Sequence, residues 1–167
     1  MFTIWESDAT PTTPSVNDSN AVELGVKFQT TTSGWIYGVR FYKGPGNTGT
    51  HTGSLWTDTG TLLAHGTFTN ETSSGWQTLE FPTAVQVSTG QTYVAGYYAP
   101  SGDYAADGNY FASNAYTNAP LAALQNGTDG GNGVYAYGGD QFPASSYNST
   151  NYWVDPILWT STPPNAP

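Results

Sequence analysis

Apolar side chains recur at every second position in several segments of this chain, and helical spacing is nearly absent. Residues 21–30, AVELGVKFQT, show the pattern best. The apolar members of one face are Val22, Leu24, Val26 and Phe28. Alternation with period two is the signature of a half-buried strand, because successive side chains point to opposite faces of a sheet. Glu23 and Lys27 therefore belong to the opposite, polar face.

Turn residues separate further segments of the same kind. These segments span residues 34–43, 53–56, 61–68, 75–81, 84–87, 92–100 and 151–159. In the first of them, one predicted face carries Trp35, Tyr37, Val39 and Phe41. Pro156 cannot donate to a ladder, so it predicts an edge strand or a bulge. Eight or nine short strands predict an all-β fold, an antiparallel β-sandwich of jelly-roll-like form.

The domain organisation predicted is one sandwich over residues 1–159 and a Pro-rich linker over 160–167, TSTPPNAP. Only APLAALQNG, residues 119–127, has a helix-like composition, enough for a turn or two. Residues 101–150 lack apolar alternation and are rich in Gly, Asn, Asp, Ala and Tyr. We expect strand fragments near NYFAS and GVYAYG there, with loops that carry function, because long structureless loops are otherwise uncommon.

Charge excludes several classes of partner. The chain holds three Lys and Arg residues against twelve Asp and Glu, a formal net charge of −9. Binding of nucleic acid requires a basic footprint, and anionic membranes attract basic segments, so neither is a predicted partner. No apolar run reaches the ~18 residues of a membrane helix, so we expect no membrane insertion. There is no cysteine, hence no disulfide framework.

The segment GPGNTGTHTG, residues 44–53, resembles a phosphate loop only in its glycines. It lacks the Gly-Lys-Ser/Thr ending, and a strand rather than a helix follows, so no helix N-terminus stands behind it. Neither His51 nor His65 adjoins a Gly-x-Ser-x-Gly motif. For His51 two interpretations stay open: contact with a ligand, or a hydrogen bond within its own loop.

Carbohydrate binding fits the composition best. Sugars present C–H faces to aromatic rings and hydroxyls to short polar groups, so a site needs both kinds of side chain together. The stretches 98–111, 130–143 and 146–153 supply them. The candidate ligand-binding residues are His51, Trp56, Tyr98, Asp103, Tyr104, Asn132, Tyr135, Tyr137 and Tyr147. The competing interpretation is that these rings belong to the core or cover one end of the sandwich.

A structural calcium ion is the one cofactor the sequence suggests. Calcium takes oxygen ligands, and Asp18, Glu23 and Asp155 flank the first and last strands, with Asn20 nearby. The competing interpretation is solvated acids and an Asx turn.

The motifs VELGVKF, GVRFYKGPGNTGTHTGSLW, GTLLA, FTNETSSGWQ, TYVAGYYAPSGDY, NGVYAYG and NYWVD occur in this order. Together they resemble the domain of unknown function 4082 family over residues 2–159. The resemblance implies a module of secreted or cell-surface bacterial multidomain proteins, often beside immunoglobulin-like repeats. It implies no catalytic residues. Where relatives usually read YAPNGHY, this chain has Asp103, which argues against a scheme that needs a histidine there.

We therefore expect a non-catalytic carbohydrate-binding module, with a polysaccharide or glycan and other domains of a longer extracellular chain as partners. The alternatives are a structural or adhesive spacer without a small ligand and, third, a carbohydrate-active enzyme.

Overall fold

The computed structural model describes all residues 1–167 and contains eleven strands and no helix. In chain order the strands are β1 (Val22–Thr30), β2 (Gly34–Lys43), β3 (Thr52–Thr57), β4 (Leu62–Thr67), β5 (Gly75–Val87), β6 (Tyr93–Ala99), β7 (Tyr116–Asn118), β8 (Leu121–Ala123), β9 (Val134–Tyr137), β10 (Ser145–Ser146) and β11 (Val154–Trp159). Nothing in the fold is a helix with the length and apolarity that crossing a membrane requires.

Two antiparallel sheets form the molecule. The large sheet has eight strands, in the order β10-β9-β1-β6-β3-β4, and the β7–β8 hairpin joins the far end of β1. The small sheet has three, in the order β11-β2-β5. Its strands pack on β1, β6, β3 and β4. The predicted antiparallel β-sandwich is confirmed.

The core lies between the sheets, where the alternation placed it. Leu24 and Phe28 of β1 are fully buried there, facing Phe41 of β2 and Phe81 of β5. Phe41 stacks on Tyr97 of β6 with ring centroids 4.0 Å apart. Burial of large apolar and aromatic side chains is the main source of stability in such a domain.

A bulge overturns the predicted face of β2. Ile157 of β11 pairs with Gly38 of β2, and the next residue, Leu158, pairs with Ile36. Tyr37, between Gly38 and Ile36, therefore has no partner on β11. The alternation slips at this point, because a bulge inserts one residue without a partner. Ile36 is therefore buried, and Trp35 and Tyr37 turn away from the core that Val39 and Phe41 enter. The predicted edge position of Pro156 is confirmed, since β11 is an edge strand.

Three shorter predictions are wrong. The segments at 75–81 and 84–87 form one irregular strand, β5. NYFAS forms turns rather than a strand, and the helix-like APLAALQNG contains β8. GVYAYG does form β9, as predicted. The tail predicted as a linker lies against the small sheet, where the Asn165 amide donates to backbone carbonyls of Tyr37 and Phe81.

A buried ion pair fastens the N-terminal segment to the small sheet. Asp155 of β11 is fully buried, and its carboxylate accepts hydrogen bonds from the backbone of Ile4 and Trp5. Arg40 of β2 donates to the same carboxylate, with Nη2 2.8 Å from Oδ2. The guanidinium lies 3.9 Å from the centroid of the Trp76 ring and also donates to the Trp5 carbonyl. One carboxylate thus joins three segments of the chain.

Replacement of Asp155 by Asn is expected to destabilise the fold by about 3 kcal/mol or more, because it leaves the Arg40 guanidinium buried without its counter-charge. Urea unfolding followed by tryptophan fluorescence measures the loss. Asp8→Asn, at an exposed position, is the matched control and should change stability by less than about 0.5 kcal/mol. A loss in Asp155→Asn no larger than in the control would contradict this account.

Candidate functional site

Five tyrosines line one groove of about 270 Å³ and contribute all of its lining. They are Tyr104, Tyr135, Tyr137, Tyr147 and Tyr152. Tyr137 is 50% exposed and Tyr147 is 67% exposed, so both present ring surface to solvent. Exposed aromatic rings that converge on one concave surface are unusual in a folded domain and indicate a binding site.

The unequal width of the two sheets creates the groove. β9 pairs with β1 on the side away from β6, beyond the strands on which the small sheet packs. Tyr135 and Tyr137 are two residues apart, so they share a face of β9, the same face as Leu24 of β1. The core-side surface of β9 therefore lacks a facing strand, and aromatic side chains from the long loops cover it instead.

Loop residues complete the aromatic walls. Tyr104 follows β6, and it packs edge-to-face on Tyr152, which precedes β11, at 5.6 Å between centroids. Tyr135 and Tyr137 make a second edge-to-face pair, also at 5.6 Å. Tyr147 lies between β10 and β11. Edge-to-face packing fixes ring orientation, so the walls are preformed rather than assembled on binding.

Asp18 is the charged group associated with the groove. Its Oδ2 accepts hydrogen bonds from the hydroxyls of Tyr137, at 2.5 Å, and Tyr104, at 3.1 Å. Its Oδ1 accepts from the backbone and side-chain amides of Asn20. The pKa of Asp18 is lowered, chiefly by the hydrogen bond from Tyr137, whose effect is larger than the opposing effect of desolvation. The carboxylate is thus ionised at neutral pH, and it orients two of the five rings.

Asp103 supports this arrangement from behind. Its backbone N–H donates to the Asp18 carbonyl at 2.7 Å, and its side chain accepts from the Asp18 N–H at 3.1 Å. Gly102 makes the close approach possible, because it has a φ of +60° and a Cβ there would lie 2.0 Å from the Asp18 carbonyl oxygen.

The structure brings together four of the nine predicted ligand-binding residues, Tyr104, Tyr135, Tyr137 and Tyr147. Sequence reasoning missed Tyr152 as a groove residue, although it lies in the aromatic and amide-rich run SSYNSTNYW. It also assigned Asp18 to a metal, because a carboxylate beside an asparagine in a loop gives no sign that tyrosine hydroxyls will bind it.

The other predicted ligand-binding residues lie away from the groove lining. Trp56 and Asn132 are almost fully buried. The Asn132 amide bridges the backbone of Lys27 and the Leu124 carbonyl. Tyr98 is on the opposite face of the large sheet, where its hydroxyl lies 3.5 Å from the Gly138 carbonyl oxygen. Asn132 and Tyr98 thus contact other parts of the chain, and Trp56 lines a different cavity.

His51 is fully enclosed and lines no pocket. Its Nε2 lies 2.7 Å from Oδ1 of Asn47, four residues back in the same loop, and its Nδ1 lies 2.7 Å from Oε1 of Glu71. The ring also packs on Phe41 at 4.8 Å. Burial lowers the pKa of His51, and the Glu71 carboxylate opposes that shift. Of the two interpretations, the contacts match the hydrogen bond within its own loop.

The three predicted calcium ligands do not converge. Asp18 binds tyrosine hydroxyls, Asp155 is paired with Arg40 in the core, and Glu23 lies under a loop on the outer face of the large sheet. No group of three or more His, Cys, Asp or Glu side chains has the arrangement of a metal site. The predicted set fails because Asp155 sits in the small sheet and Glu23 in the middle of the large one.

A family model described as domain of unknown function (DUF4082) matches residues 8–154. The match covers all five groove tyrosines and Asp18. No curated protein and no solved structure matches the chain.

Replacement of His51 by Ala is expected to lower the free energy of unfolding by about 2–4 kcal/mol, because it opens a cavity beside Phe41 and leaves buried polar partners unpaired. His51→Gln keeps a hydrogen-bonding side chain and should lose less. Chemical denaturation of both variants provides the measurement. Equal stability of His51→Ala and the unmodified chain would contradict the structural role.

Proposed function

Because this chain belongs to the DUF4082 family of domains of unknown function, we propose its function from the tyrosine groove: it binds glycan without catalysis. On this proposal it is an accessory module of a longer secreted or surface protein, whose other domains are its partners. The single observation that carries the proposal is a solvent-open groove lined only by tyrosines, with a carboxylate hydrogen-bonded to two of them.

The chemistry of the groove suits a neutral polyhydroxylated ligand. Tyr137 and Tyr147 offer exposed ring faces on which the C–H face of a sugar ring can pack. The phenol hydroxyls are neutral, since the pKa of Tyr104 is raised by burial and that of Tyr137 by its hydrogen bond to Asp18. They can therefore donate to and accept from sugar hydroxyls. Asp18 adds a charged acceptor, which makes stronger hydrogen bonds than neutral groups do.

The size and shape of the groove favour recognition of a short stretch of a glycan chain. A second concavity, lined by Asn20, Ala21, Tyr137 and Gly138, adjoins the tyrosine groove at Tyr137. The two share one exposed ring, so a ligand that runs along the groove would pass over Tyr137 between them. A polymer needs such an open-ended site, whereas an enclosed cavity suits a single small molecule.

Nothing in the groove requires catalysis. Hydrolysis of a glycosidic bond uses two carboxyl groups that flank the scissile bond, and Asp18 is the only carboxylate hydrogen-bonded to the lining tyrosines. This observation supports binding over the carbohydrate-active enzyme among the alternatives.

Tyr137→Ala and Tyr147→Ala are each expected to weaken binding roughly tenfold or more, since hot-spot aromatic side chains contribute at least about 1–2 kcal/mol. A glycan array identifies the ligand, and titration calorimetry with that ligand measures the affinities. Tyr37→Ala is the matched control, because Tyr37 is a half-buried tyrosine of the small sheet that stacks on Trp159.

Loss of affinity equal in all three variants would contradict the proposed groove. An array without any bound polysaccharide, together with unchanged tryptophan fluorescence in the presence of glycans, would favour the spacer alternative instead.

A further inference from the structure

Glu23 is a fully buried carboxyl group on the outer face of the large sheet. It lies on β1 between β6 and β9, where its neighbours across the strands are Tyr98 and Ala136. The outer face of a two-layer sandwich is normally solvated. Glu23 lies between the core residues Val22 and Leu24 in the sequence, so its side chain is on that outer face, where exposure to solvent is expected. It is buried because residues 138–143, which connect β9 to β10, fold back over the sheet.

The contacts of this covering segment enclose the carboxyl group. Phe142 packs edge-to-face on Trp56 of β3, with centroids 5.7 Å apart. Asp140 faces the Glu23 carboxyl group directly. Its Oδ2 also accepts a hydrogen bond from Thr52 of β3 at 2.7 Å. Asp140 is partly exposed, with 30% of its side chain accessible, so the cluster opens to solvent on this side.

Neither oxygen of Glu23 has a hydrogen-bonding partner of good geometry. Burial and then the neighbouring Asp140 raise the pKa of Glu23 well above its ordinary value, whereas the backbone N–H of Gln141 acts in the opposite direction. A buried carboxylate without a partner is among the costliest arrangements in a protein, so a compensating group is expected.

The chain has no base left to provide that compensation. The Lys27 ammonium donates to the Asp129 carbonyl, Arg40 is paired with Asp155, and Lys43 with Glu71. The chain contains no other Lys or Arg. His65, the one imidazole in the cluster, lies with Nδ1 2.8 Å from Ser54 and Nε2 3.4 Å from Asp140. None of the three basic side chains of the chain is thus paired with Glu23.

Several oxygen atoms near Glu23 and Asp140 can act as metal ligands. The Thr52 hydroxyl donates to Asp140, and the Ser54 hydroxyl lies beside His65. A cavity of about 270 Å³ adjoins Asp140 and gives water access to the cluster. Gly96 allows the Trp56 ring and the Glu23 carboxyl group to lie close to the sheet, since a Cβ there would lie 2.8 Å from the ring and 3.0 Å from Oε2 of Glu23.

We propose that Glu23 and Asp140 bind a hard divalent cation, calcium by the chemistry of the donors, beneath residues 138–143. Calcium accepts six to eight oxygen ligands in irregular geometry and binds carboxylates in one- or two-oxygen contact. Two carboxylates with hydroxyls and water from the adjoining cavity match that preference. A proton shared between the two carboxyl groups is the alternative, but it would satisfy at most one oxygen of Glu23, whereas a cation can satisfy both.

The site differs from the one predicted from the sequence. Glu23 is retained, and Asp140 takes the place of Asp18 and Asp155. The proposal does not rest on glycan binding, because Glu23 lies on the face of the large sheet opposite the groove tyrosines.

Terbium luminescence tests the site directly, because Tb³⁺ replaces Ca²⁺ at oxygen sites and is sensitised by a nearby indole. Terbium added to the chelator-treated chain should luminesce on tryptophan excitation and be displaced by calcium. Glu23→Gln and Asp140→Asn should each weaken terbium binding at least tenfold. The control Asp129→Asn, at a half-buried acid that faces Asp58 elsewhere, should not. Undiminished affinity in Glu23→Gln would overturn the proposal.

Trp56→Phe adds a readout that depends on position. Luminescence per bound ion should fall, while the affinity for terbium stays unchanged, because Trp56 lies beside Glu23 over Gly96. If luminescence in this variant equals that of the unmodified chain, the ion is bound elsewhere and the proposal is wrong.

Thermal melting separates the cation from a shared proton. Calcium should raise the melting temperature of the unmodified chain, because a ligand of the folded state stabilises it by mass action. The rise should be absent in Glu23→Gln and should grow as pH rises, since protons compete with the cation for the Glu23 carboxylate. Asp140→Asn, at a partly exposed position, serves if Glu23→Gln does not fold.

The pH dependence without calcium has a definite sign. A pKa of Glu23 raised on folding contributes stability that is present at low pH and is lost as pH rises through the folded value. Glu23→Gln should lack this trend. Melting temperatures that follow this trend but never respond to calcium would overturn the cation site and establish the shared proton.

Discussion

The ion pair of Arg40 with Asp155 is the contact on which the rest of the structure depends, because it joins the N-terminal segment to both β2 and β11. Asp155 accepts four hydrogen bonds, from Ile4, Trp5 and two guanidinium nitrogens. Arg40 is the only arginine of the chain, and its other contacts are with Trp76, Thr3 and the Trp5 carbonyl.

A chain with three basic residues and twelve acidic ones has few ways to bury a carboxylate. Where a base is present, as here and at Glu71, the acid becomes part of the framework. Glu23 has no such base, and for this reason we propose a cation beside it.

The mismatch in width between the two sheets determines where binding can occur. Three strands cannot cover eight, so β9 extends beyond the small sheet and exposes its core-side face. Two tyrosines of β9 lie on that face, and long loops bring three more to it. In a complete sandwich core these rings would be fully buried, and on an ordinary solvated sheet edge charged side chains would be expected in their place. The groove is thus the incomplete part of the sandwich interior, and an amphipathic residue suits it because tyrosine has an apolar ring and a polar tip.

Local alternation was sufficient to predict the sandwich and the core face of β1, as at Leu24 and Phe28. It could not predict the bulge at Tyr37, since the aromatic and apolar residues of β2 continue the same pattern through it. Alternation also could not predict that part of the outer face of the large sheet is buried. Trp56 and Glu23 lie on that face and are covered by a loop distant in sequence. Four of the five groove tyrosines were named from local composition, and Tyr152 was missed. His51 was left open because only the fold brings Glu71 to its second nitrogen.

β9 connects the two proposed sites. Tyr135 and Tyr137 stand on one face of this strand, and Ala136 on the other is paired with Glu23. Residues 138–143 follow Tyr137 without interruption and carry Asp140. An ion held by Glu23 and Asp140 would therefore fix the end of the strand that presents Tyr137, the ring shared by the tyrosine groove and the adjoining concavity. Coupling between two sites requires a shared element with restricted freedom, and β9 with its following loop is such an element.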